Sequence, residues 1–326
     1  GPLTPSAGGV PPLQARASGA RRLNKENHKH KERHRKPAAA ATEEEKSKPA
    51  AAGWAAPSPL PSVFETPSGP KFKAIVLTYD AHHVFALNMI ARYAKLWPSH
   101  PFVFLVPYNA LEAPVQFFEA YAHQIELVRT DTSISATMLQ LLDRCQSTDM
   151  VYLAIDDKYM TSVQSGKIDA AVEWMRSRLA DASFGGLSMG FMRKINRASV
   201  EAKTQIPFTT ASGKSVDIVQ CRGRCGTFWA HHFLRAWMLR DLYSYAATLK
   251  VVRGKDYDGF IDNFVWKNSS FWTVEGCGME FGESTTRGKV TPNCYRDLQK
   301  SGLLAKVSPN FLPTSPRNIV LTCPGL

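Results

Sequence analysis

The hydrophobic pattern of the chain changes at Lys73, where a polar leader gives way to short apolar runs and amphipathic segments. Four runs rich in β-branched and aromatic residues predict buried strands, at 74–78, 102–106, 125–128 and 150–155. Apolar residues at helical spacing predict helices between them, at 84–96, 114–122 and 135–142. Strands that alternate with helices in this way predict a mostly parallel α/β sheet flanked by helices.

The pattern after residue 160 is more mixed. It predicts helices at 168–180, 233–249 and 259–267, and strands at 184–189, 215–220 and 271–274. The segment 280–289 is polar and punctuated by glycine, which predicts a mobile loop. We therefore expect one folded domain over 71–310, made of a first half at 71–160 and a second half at 161–310, and a tail at 311–326.

Residues 1–70 have a different composition, rich in proline, alanine and charge and poor in aromatic residues. Such a segment cannot bury enough apolar surface to offset its ordering entropy, which predicts a disordered leader or linker. Its basic run at 21–36 is consistent with a nuclear signal, a polyanion-binding arm or a solvated linker. Gly1-Pro2 resembles the remnant of a cleaved tag, so we expect a longer parent chain.

Composition and charge narrow the class of protein. The 326 residues are 44% hydrophobic and carry a net charge of +12, which excludes wholesale disorder and suits an anionic ligand such as a nucleotide. No apolar run is long enough to predict a transmembrane helix. Six cysteines are too few for a disulfide-stapled mini-domain, and they favour a reducing, cytoplasmic compartment. One motif favours secretion instead, because Asn268-Ser269-Ser270 matches the N-glycosylation acceptor pattern.

Acidic residues follow two of the predicted strands. Asp80 comes shortly after the first strand, and Asp156-Asp157 come directly after the strongest one. Because parallel strands end at one edge of a sheet, we expect these carboxylates to share a crevice. Paired hard oxygen donors suit Mg²⁺ or Mn²⁺ bound to a diphosphate. The alternative is that one Asp caps the next helix while the other is solvated.

These residues resemble a known superfamily. The first strand ending in Thr78-Tyr79-Asp80, the α/β run after it, and the hydrophobic strand ending in Asp156-Asp157 are similar to GT-A type nucleotide-sugar glycosyltransferases. The resemblance implies a GT-A-like fold and the metal-dependent transfer of a sugar, with a UDP-sugar favoured, to a hydroxyl of a glycan or other acceptor. The chain departs from the usual Asp-x-Asp motif, because Lys158 stands where the second acid would be.

The resemblance also implies that 71–160 is a nucleotide-binding half and 161–310 an acceptor-binding half, and it implies roles for individual residues. Asp156 and Asp157 would hold Mn²⁺ or Mg²⁺. The predicted nucleotide-binding residues are Thr78, Tyr79, Asp80, Asp131, Ser135, Asp156, Arg287 and Lys289. Asp131 and Ser135 also suit an ordinary helix N-cap, and Arg287 and Lys289 suit a solvated turn.

The acceptor side is expected further along the chain. Trp229 would stack on a sugar ring while His231 or His232 hydrogen-bonds its hydroxyls, the alternative for Trp229 being a core position. An inverting transferase needs a carboxylate to take the acceptor proton, and Asp262 is the first choice and Asp258 the second. A retaining transferase needs no such base.

Other classes are disfavoured by missing motifs. The chain has no Gly-x-Gly-x-x-Gly dinucleotide fingerprint, no P-loop and no Gly-x-Ser-x-Gly elbow. A nucleotidyltransferase using the same acidic pair remains an alternative enzyme. A polyanion-binding or nucleic-acid-binding module that uses the basic leader is the alternative from another class, although Lys and Arg are dispersed over the body.

Overall fold

The computed structural model describes most of the chain from Lys71 onward, within the unit that spans Pro59–Leu326. The described residues are 71–190, 200–221, 231–249, 251, 257, 268–286, 288–312 and 320–321, the side chains of 200–203 and 320–321 excepted. Several predictions fall outside these ranges, namely the leader at 1–70, the helix at 259–267, and Trp229, Asp258, Asp262 and Arg287.

The first half of the domain follows the predicted alternation of strands and helices. Its strands are β1 (Phe72–Leu77), β2 (Phe102–Tyr108), β3 (Ile125–Arg129) and β4 (Met150–Ile155). Its helices are α1 (His83–Leu96), the short α2 (Val115–Phe118), which continues as 3-10 turns over Glu119–Gln124, and α3 (Ile134–Leu142). Ser133 caps α3 by accepting the Ala136 N–H at 3.2 Å.

The second half adds more strands than the sequence predicted. It continues with β5 (Lys158–Val163), α4 (Ser165–Ser177), β6 (Phe184–Ser188), β7 (Val200–Thr209), β8 (Ser215–Cys221), β9 (His232–Arg235) and α5 (Ala236–Thr248). It ends with β10 (Ser270–Val274), β11 (Met279–Glu283), β12 (Thr285–Thr286), β13 (Lys289–Val290), α6 (Pro292–Lys300) and β14 (Val320–Leu321).

Within the described ranges, nine strands form the central sheet, in the order β3-β2-β1-β4-β9-β6-β10-β8-β7. β1 pairs in parallel with β2 and with β4, and β2 pairs in parallel with β3. β9 is antiparallel to both β4 and β6, and β6 is parallel to β10. β1, β4, β6 and β10 therefore all run in one direction, which confirms the predicted mixed, mostly parallel sheet. A smaller sheet has the order β14-β11-β5.

Helices cover both faces of this sheet, as the alternation along β4 shows. Tyr152 and Ala154 belong to a core that includes buried residues of α1 and α4. Val151 and Leu153 belong to a second core with buried residues of α3 and α5. Because both faces are buried, β4 is apolar throughout, which is why its sequence predicted it so clearly.

Two predictions about local structure were wrong. The helix predicted from Phe233 begins only at Ala236, because the four residues before it form β9 between β4 and β6. The segment predicted as a loop at 280–289 contains most of β11, which pairs antiparallel with β5. In both places pairing with a distant strand, which satisfies the backbone hydrogen bonds, decides the conformation.

His231, just before β9, lies inside the core and is 2% exposed. Its Nδ1 is 2.7 Å from the Tyr93 hydroxyl, and its Nε2 is 3.0 Å from the backbone nitrogen of Ile155. The Tyr93 hydroxyl is also 2.8 Å from that of Tyr152. Both ring nitrogens are therefore occupied within the protein. Burial lowers the pKa of His231 to about 3, so the imidazole is neutral at physiological pH.

We predict that Gly186→Ala destabilises the domain by about 2 kcal/mol or more, because a Cβ there would collide with the carbonyl oxygen of Phe233 on the neighbouring β9. Urea unfolding followed by circular dichroism measures this. Gly166→Ala in α4 is the matched control, because its Cβ would meet nothing closer than 4.0 Å, and we expect unchanged or slightly higher stability. Equal stability of the two variants would contradict the close approach of β6 and β9.

A second prediction concerns acid stability. Below pH 6.5 the unfolded chain protonates His231 while the folded protein does not, so stability falls as the pH decreases. This one group accounts for a loss of about 2 kcal/mol by pH 5. His231→Gln, which does not titrate, is less stable at pH 7.5, and its deficit narrows towards pH 5. Parallel stability curves for the two proteins would show that His231 does not carry this dependence.

Candidate functional site

The candidate site lies where β1 and β4 end, at the point where the strand order reverses. From β1 the chain moves outward to β2 and β3, and then returns to the other side of β1 as β4. Open α/β sheets bind ligands in the crevice at such a point, outside the carboxyl ends of the strands. Asp80 follows β1 and Asp156-Asp157 follow β4, so the structure brings these carboxylates to one edge of the sheet.

Asp156 is held in place by three contacts. Its N–H donates to the carbonyl oxygen of Leu77 at 3.3 Å, which continues the pairing of β1 with β4. Its Oδ2 is 3.1 Å from Nδ1 of His82, and its carbonyl oxygen accepts the Ser284 hydroxyl at 3.1 Å. The residue is only 5% exposed. Its carboxylate is thus fixed by a histidine that the sequence analysis did not single out.

His82 lies among aromatic rings on a 3-10 turn between β1 and α1. The Tyr79 ring stacks on it with the centroids 4.3 Å apart, and the edges of Phe85 and Phe311 enclose it. Tyr79 itself is 48% exposed. Its pKa is raised by partial burial and by the negative charge of Asp156. The crevice therefore presents an accessible aromatic ring, supported by an imidazole, beside the carboxylates.

Asp157 belongs to a second group of charges with Lys158 and Glu283. The Lys158 ammonium lies 3.3 Å from Oδ2 of Asp157 and 3.4 Å from Oε1 of Glu283. Glu283 comes from β11, where it is the register partner of Lys158 on β5. The Ser284 N–H donates to the carbonyl oxygen of Asp157 at 2.6 Å, which ties this strand to the crevice.

The charges of this group are not balanced by the ion pairs among the described residues. Two carboxylates, those of Asp157 and Glu283, share the ammonium of Lys158, and the negative charge of Asp156 also acts on Asp157. The pKa of Asp157 is raised, first by shelter from water and then by repulsion from Asp156 and Glu283, although Lys158 opposes the shift. Oδ1 of Asp157 is sheltered and has no hydrogen-bond partner. A further positive charge would stabilise this arrangement.

These donors fit a hard divalent cation in part. Oδ1 of Asp157 is a carboxylate oxygen without a partner, which is the kind of ligand that Mg²⁺ and Mn²⁺ prefer. Among the described residues, no group of three or more His, Cys, Asp and Glu side chains could hold an ion by itself. A cation here would therefore need phosphate oxygens and water as its other ligands, as Mg²⁺ commonly does in nucleotide sites.

The end of β1 contributes two further groups. Oδ1 of Asp80 accepts the N–H of Asn109 at 2.8 Å, so this carboxylate connects β1 to the loop after β2. Thr78 is buried, and its hydroxyl has no hydrogen-bond partner. Of the three predicted nucleotide-binding residues here, Asp80 thus has a structural contact, whereas Thr78 and Tyr79 retain free hydrogen-bonding or stacking capacity.

Asp131 and Ser135 lie beyond β3, around the start of α3. Two hydrogen bonds join Asp131 to Gln140. The Asp131 N–H donates to Oε1 of Gln140 at 2.8 Å, and Nε2 of Gln140 donates to Oδ2 of Asp131 at 2.9 Å. The Ser135 hydroxyl is buried 2.5 Å from that of Tyr257. Asp131 lines an open cleft of about 610 Å³ together with Asn109, Arg129, Thr130, Thr132, Ser133, Ala136 and Gln140. Ser135 does not line that cleft.

The remaining predicted site residues within the described ranges are Lys289, His231 and His232. Lys289 lies in β13, and its ammonium donates to the carbonyl oxygen of Asn310 at 2.8 Å. His232 is buried in β9, and His231 is buried beside Tyr93. Among the predicted site residues that the structure describes, Thr78 and Asp157 thus each keep a sheltered side-chain oxygen without a hydrogen-bond partner.

Sequence reasoning missed His82 and Glu283. His82 stands between the first predicted strand and the first predicted helix, but nothing in the sequence indicated that its partner is Asp156. Glu283 lies 125 residues from Lys158 along the chain. Its contact depends on the pairing of β11 with β5, which the sequence pattern did not predict.

Within the described ranges, no helix has both the length and the apolar character that a membrane span requires.

Comparisons with known proteins give structural similarity alone. Neither a protein-family model nor a curated protein matches this chain. One similar solved structure is 4-diphosphocytidyl-2C-methyl-D-erythritol synthase from Anaerococcus prevotii, at 8% identity and a TM-score of 0.36, covering 73% of this chain and 98% of that one.

Two further structures are similar to a comparable extent. S. aureus TarS, residues 1–349, has 14% identity and a TM-score of 0.36, covering 65% of this chain and 59% of that one. An active-site mutant of LgtC has 10% identity and a TM-score of 0.34, covering 69% of this chain and 77% of that one. The sheet topology of this chain shows a mixed α/β fold with most of the central strands running in one direction.

Proposed function

We propose that this chain is a glycosyltransferase that uses a nucleotide-sugar donor, with a UDP-sugar favoured, and transfers the sugar to a hydroxyl of a glycan or other acceptor. One observation carries the proposal. At the switch point of the sheet, the negative charge of Asp156 acts on the exposed aromatic ring of Tyr79, and the next residue, Asp157, keeps a carboxylate oxygen without a partner. A nucleoside diphosphate needs both an aromatic surface for its base and a cation for its phosphates.

In the proposed site, different residues of the crevice bind the nucleoside and the metal. Tyr79 offers a ring for stacking, and Thr78 offers an unpaired hydroxyl at the end of β1. Lys158 holds one oxygen of Asp157 and leaves the other without a partner, while His82 orients Asp156. Asp157 would be the direct ligand of Mn²⁺ or Mg²⁺, with Asp156 beside it. When bound, the metal would neutralise the diphosphate and favour its departure.

The acceptor side of the reaction rests on sequence. Asp262, or Asp258 as the second choice, remains the predicted base that takes the proton of the acceptor hydroxyl in an inverting reaction. Trp229 remains the predicted stacking surface for the acceptor, and Arg287 the predicted contact to the diphosphate.

A nucleotidyltransferase would use the same carboxylates, so the products of the reaction must decide between the two enzymes. A glycosyltransferase releases the nucleoside diphosphate from a nucleotide sugar, even with water as a slow acceptor. A nucleotidyltransferase releases pyrophosphate from a nucleoside triphosphate and a phosphorylated acceptor.

We predict that UDP binds in the presence of Mn²⁺ and that Asp157→Asn weakens this binding at least tenfold, about 1.4 kcal/mol. The amide keeps the shape of the side chain but removes the charge that attracts the metal. Calorimetric titration of UDP, GDP and CDP, each with and without Mn²⁺, measures the effect. Asp143→Asn is the matched control, because that exposed carboxylate pairs with Arg240 at the end of α3 and we expect unchanged binding.

Three results would contradict the proposal. If no nucleotide binds to the folded protein, the carboxylates are a structural charge cluster. If Asp157→Asn binds UDP and Mn²⁺ as well as wild type does, the metal is held elsewhere. Release of pyrophosphate from a triphosphate, without release of UDP from UDP-sugars, would favour the nucleotidyltransferase.

A further inference from the structure

Asn268 occupies an exposed turn immediately before β10. It is the asparagine of Asn268-Ser269-Ser270, the one Asn-x-Ser/Thr triplet in the sequence. Its side chain is exposed, and its φ of 66° places it in the left-handed region, which asparagine tolerates better than most residues. The acceptor nitrogen of this triplet is thus at the protein surface, where an attached glycan would extend into solvent.

This turn lies at the edge of the sheet opposite the candidate site. β10 runs in the same direction as β4, since both have the same direction as β6. Asn268 precedes the beginning of β10, whereas Asp156 and Asp157 follow the end of β4. The Ser270 N–H donates to the carbonyl oxygen of Ser183 at 2.7 Å, which anchors the turn beside the start of β6. A glycan on Asn268 would therefore leave the crevice open.

The cysteines carry an independent sign of the compartment. Cys221, at the end of β8, and Cys277, in the turn between β10 and β11, are each disulfide-bonded. Disulfides persist in oxidising compartments and are rare where glutathione keeps thiols reduced. These two cysteines therefore favour an oxidising compartment, whereas the low number of cysteines alone favoured a reducing one.

The two free cysteines are compatible with such a compartment. Cys145 and Cys294 are both buried. Burial raises the pKa of the Cys145 thiol to about 11 and that of Cys294 to about 12. Both thiols remain protonated at neutral pH, and a protonated, enclosed thiol is a poor partner in disulfide exchange.

From the exposed triplet and the disulfide-bonded cysteines together, we infer that the chain matures in an oxidising, glycosylating compartment and carries an N-linked glycan on Asn268. The Asn268 side-chain nitrogen forms a bond to the anomeric carbon of a lipid-diphosphate-linked oligosaccharide. The anomeric C–O bond breaks, the lipid diphosphate leaves, and one amide proton is released. The compartment's own oligosaccharide transferase and its lipid-linked donor supply this chemistry.

The test is to secrete the full chain from a eukaryotic cell behind a cleavable signal sequence, and to analyse the peptide containing Asn268 by mass spectrometry before and after treatment with peptide N-glycosidase. We expect a glycan on Asn268 that the enzyme removes, leaving Asp at that position. An unmodified Asn268 peptide in the secreted, folded protein would overturn the inference.

Two variants make the result specific. Asn268→Asp removes the acceptor, suits the left-handed turn and has the same sequence as the deglycosylated wild type, so the two should migrate identically on a gel. Ser270→Thr keeps the acceptor pattern and should keep the glycan. A mobility shift on deglycosylation that persists in Asn268→Asp would place the glycan elsewhere. Binding of UDP is expected to be equal in glycosylated wild type and Asn268→Asp, so this test and that of the proposed function fail separately.

The compartment has its own test, on the same secreted protein. Alkylation with iodoacetamide after denaturation without reductant should label Cys145 and Cys294 and leave Cys221 and Cys277 unlabelled until a reductant is added. Labelling of all four residues without reductant would show that Cys221 and Cys277 are not disulfide-bonded, and would contradict the oxidising compartment.

Discussion

The parallel pairing of β1 with β4 is the constraint on which the candidate site depends. Leu77 lies opposite Ile155, and the hydrogen bond from the Asp156 N–H to Leu77 carries the pairing one residue past β4. Successive side chains on a strand point to opposite faces, so a shift of one residue would exchange the positions of Asp156 and Asp157. The side chains of β4 that pack into the two cores, Tyr152 and Ala154 on one face and Val151 and Leu153 on the other, differ in size, so that shift would disrupt the packing of both cores. The core thus determines which carboxylate meets His82 and which meets Lys158.

The two carboxylates consequently have different environments. Asp156 is enclosed and oriented by an imidazole, whereas the side chain of Asp157 is 38% exposed and keeps one oxygen without a partner. Charge groups of this kind are poor contributors to stability, because desolvation offsets much of the attraction between the ions. A group in which Asp157 and Glu283 share one ammonium, with Asp156 close by, therefore contributes little to stability, which is a common property of functional sites.

The sequence was sufficient for the parts of the structure that local pattern determines. β4 and α3 were predicted closely, because a strand buried on both faces and a capped amphipathic helix have distinct periodicities. β9 was missed because its four residues, of which Phe233 and Leu234 are apolar, fit either a helix or a strand, and only their position between β4 and β6 makes them a strand. Lys158 was read as a departure from a motif, and its role emerged only when β11 brought Glu283 beside it. Contacts between distant strands leave no periodic signal in the sequence.

The common direction of the strands also places the candidate site and the proposed glycosylation site at opposite edges of the sheet. The crevice lies at the carboxyl ends of β1 and β4, while the Asn268 turn lies at the amino end of β10. A strand of six residues such as β4 spans about 20 Å, so the two edges are separated by roughly that distance. A glycan at one edge can therefore shield the start of the strands without obstructing a nucleotide at the other. Because strands that run in one direction all end at the same edge of the sheet, a turn at the opposite edge, such as that of Asn268, can carry a glycan that would block the crevice if it were attached there.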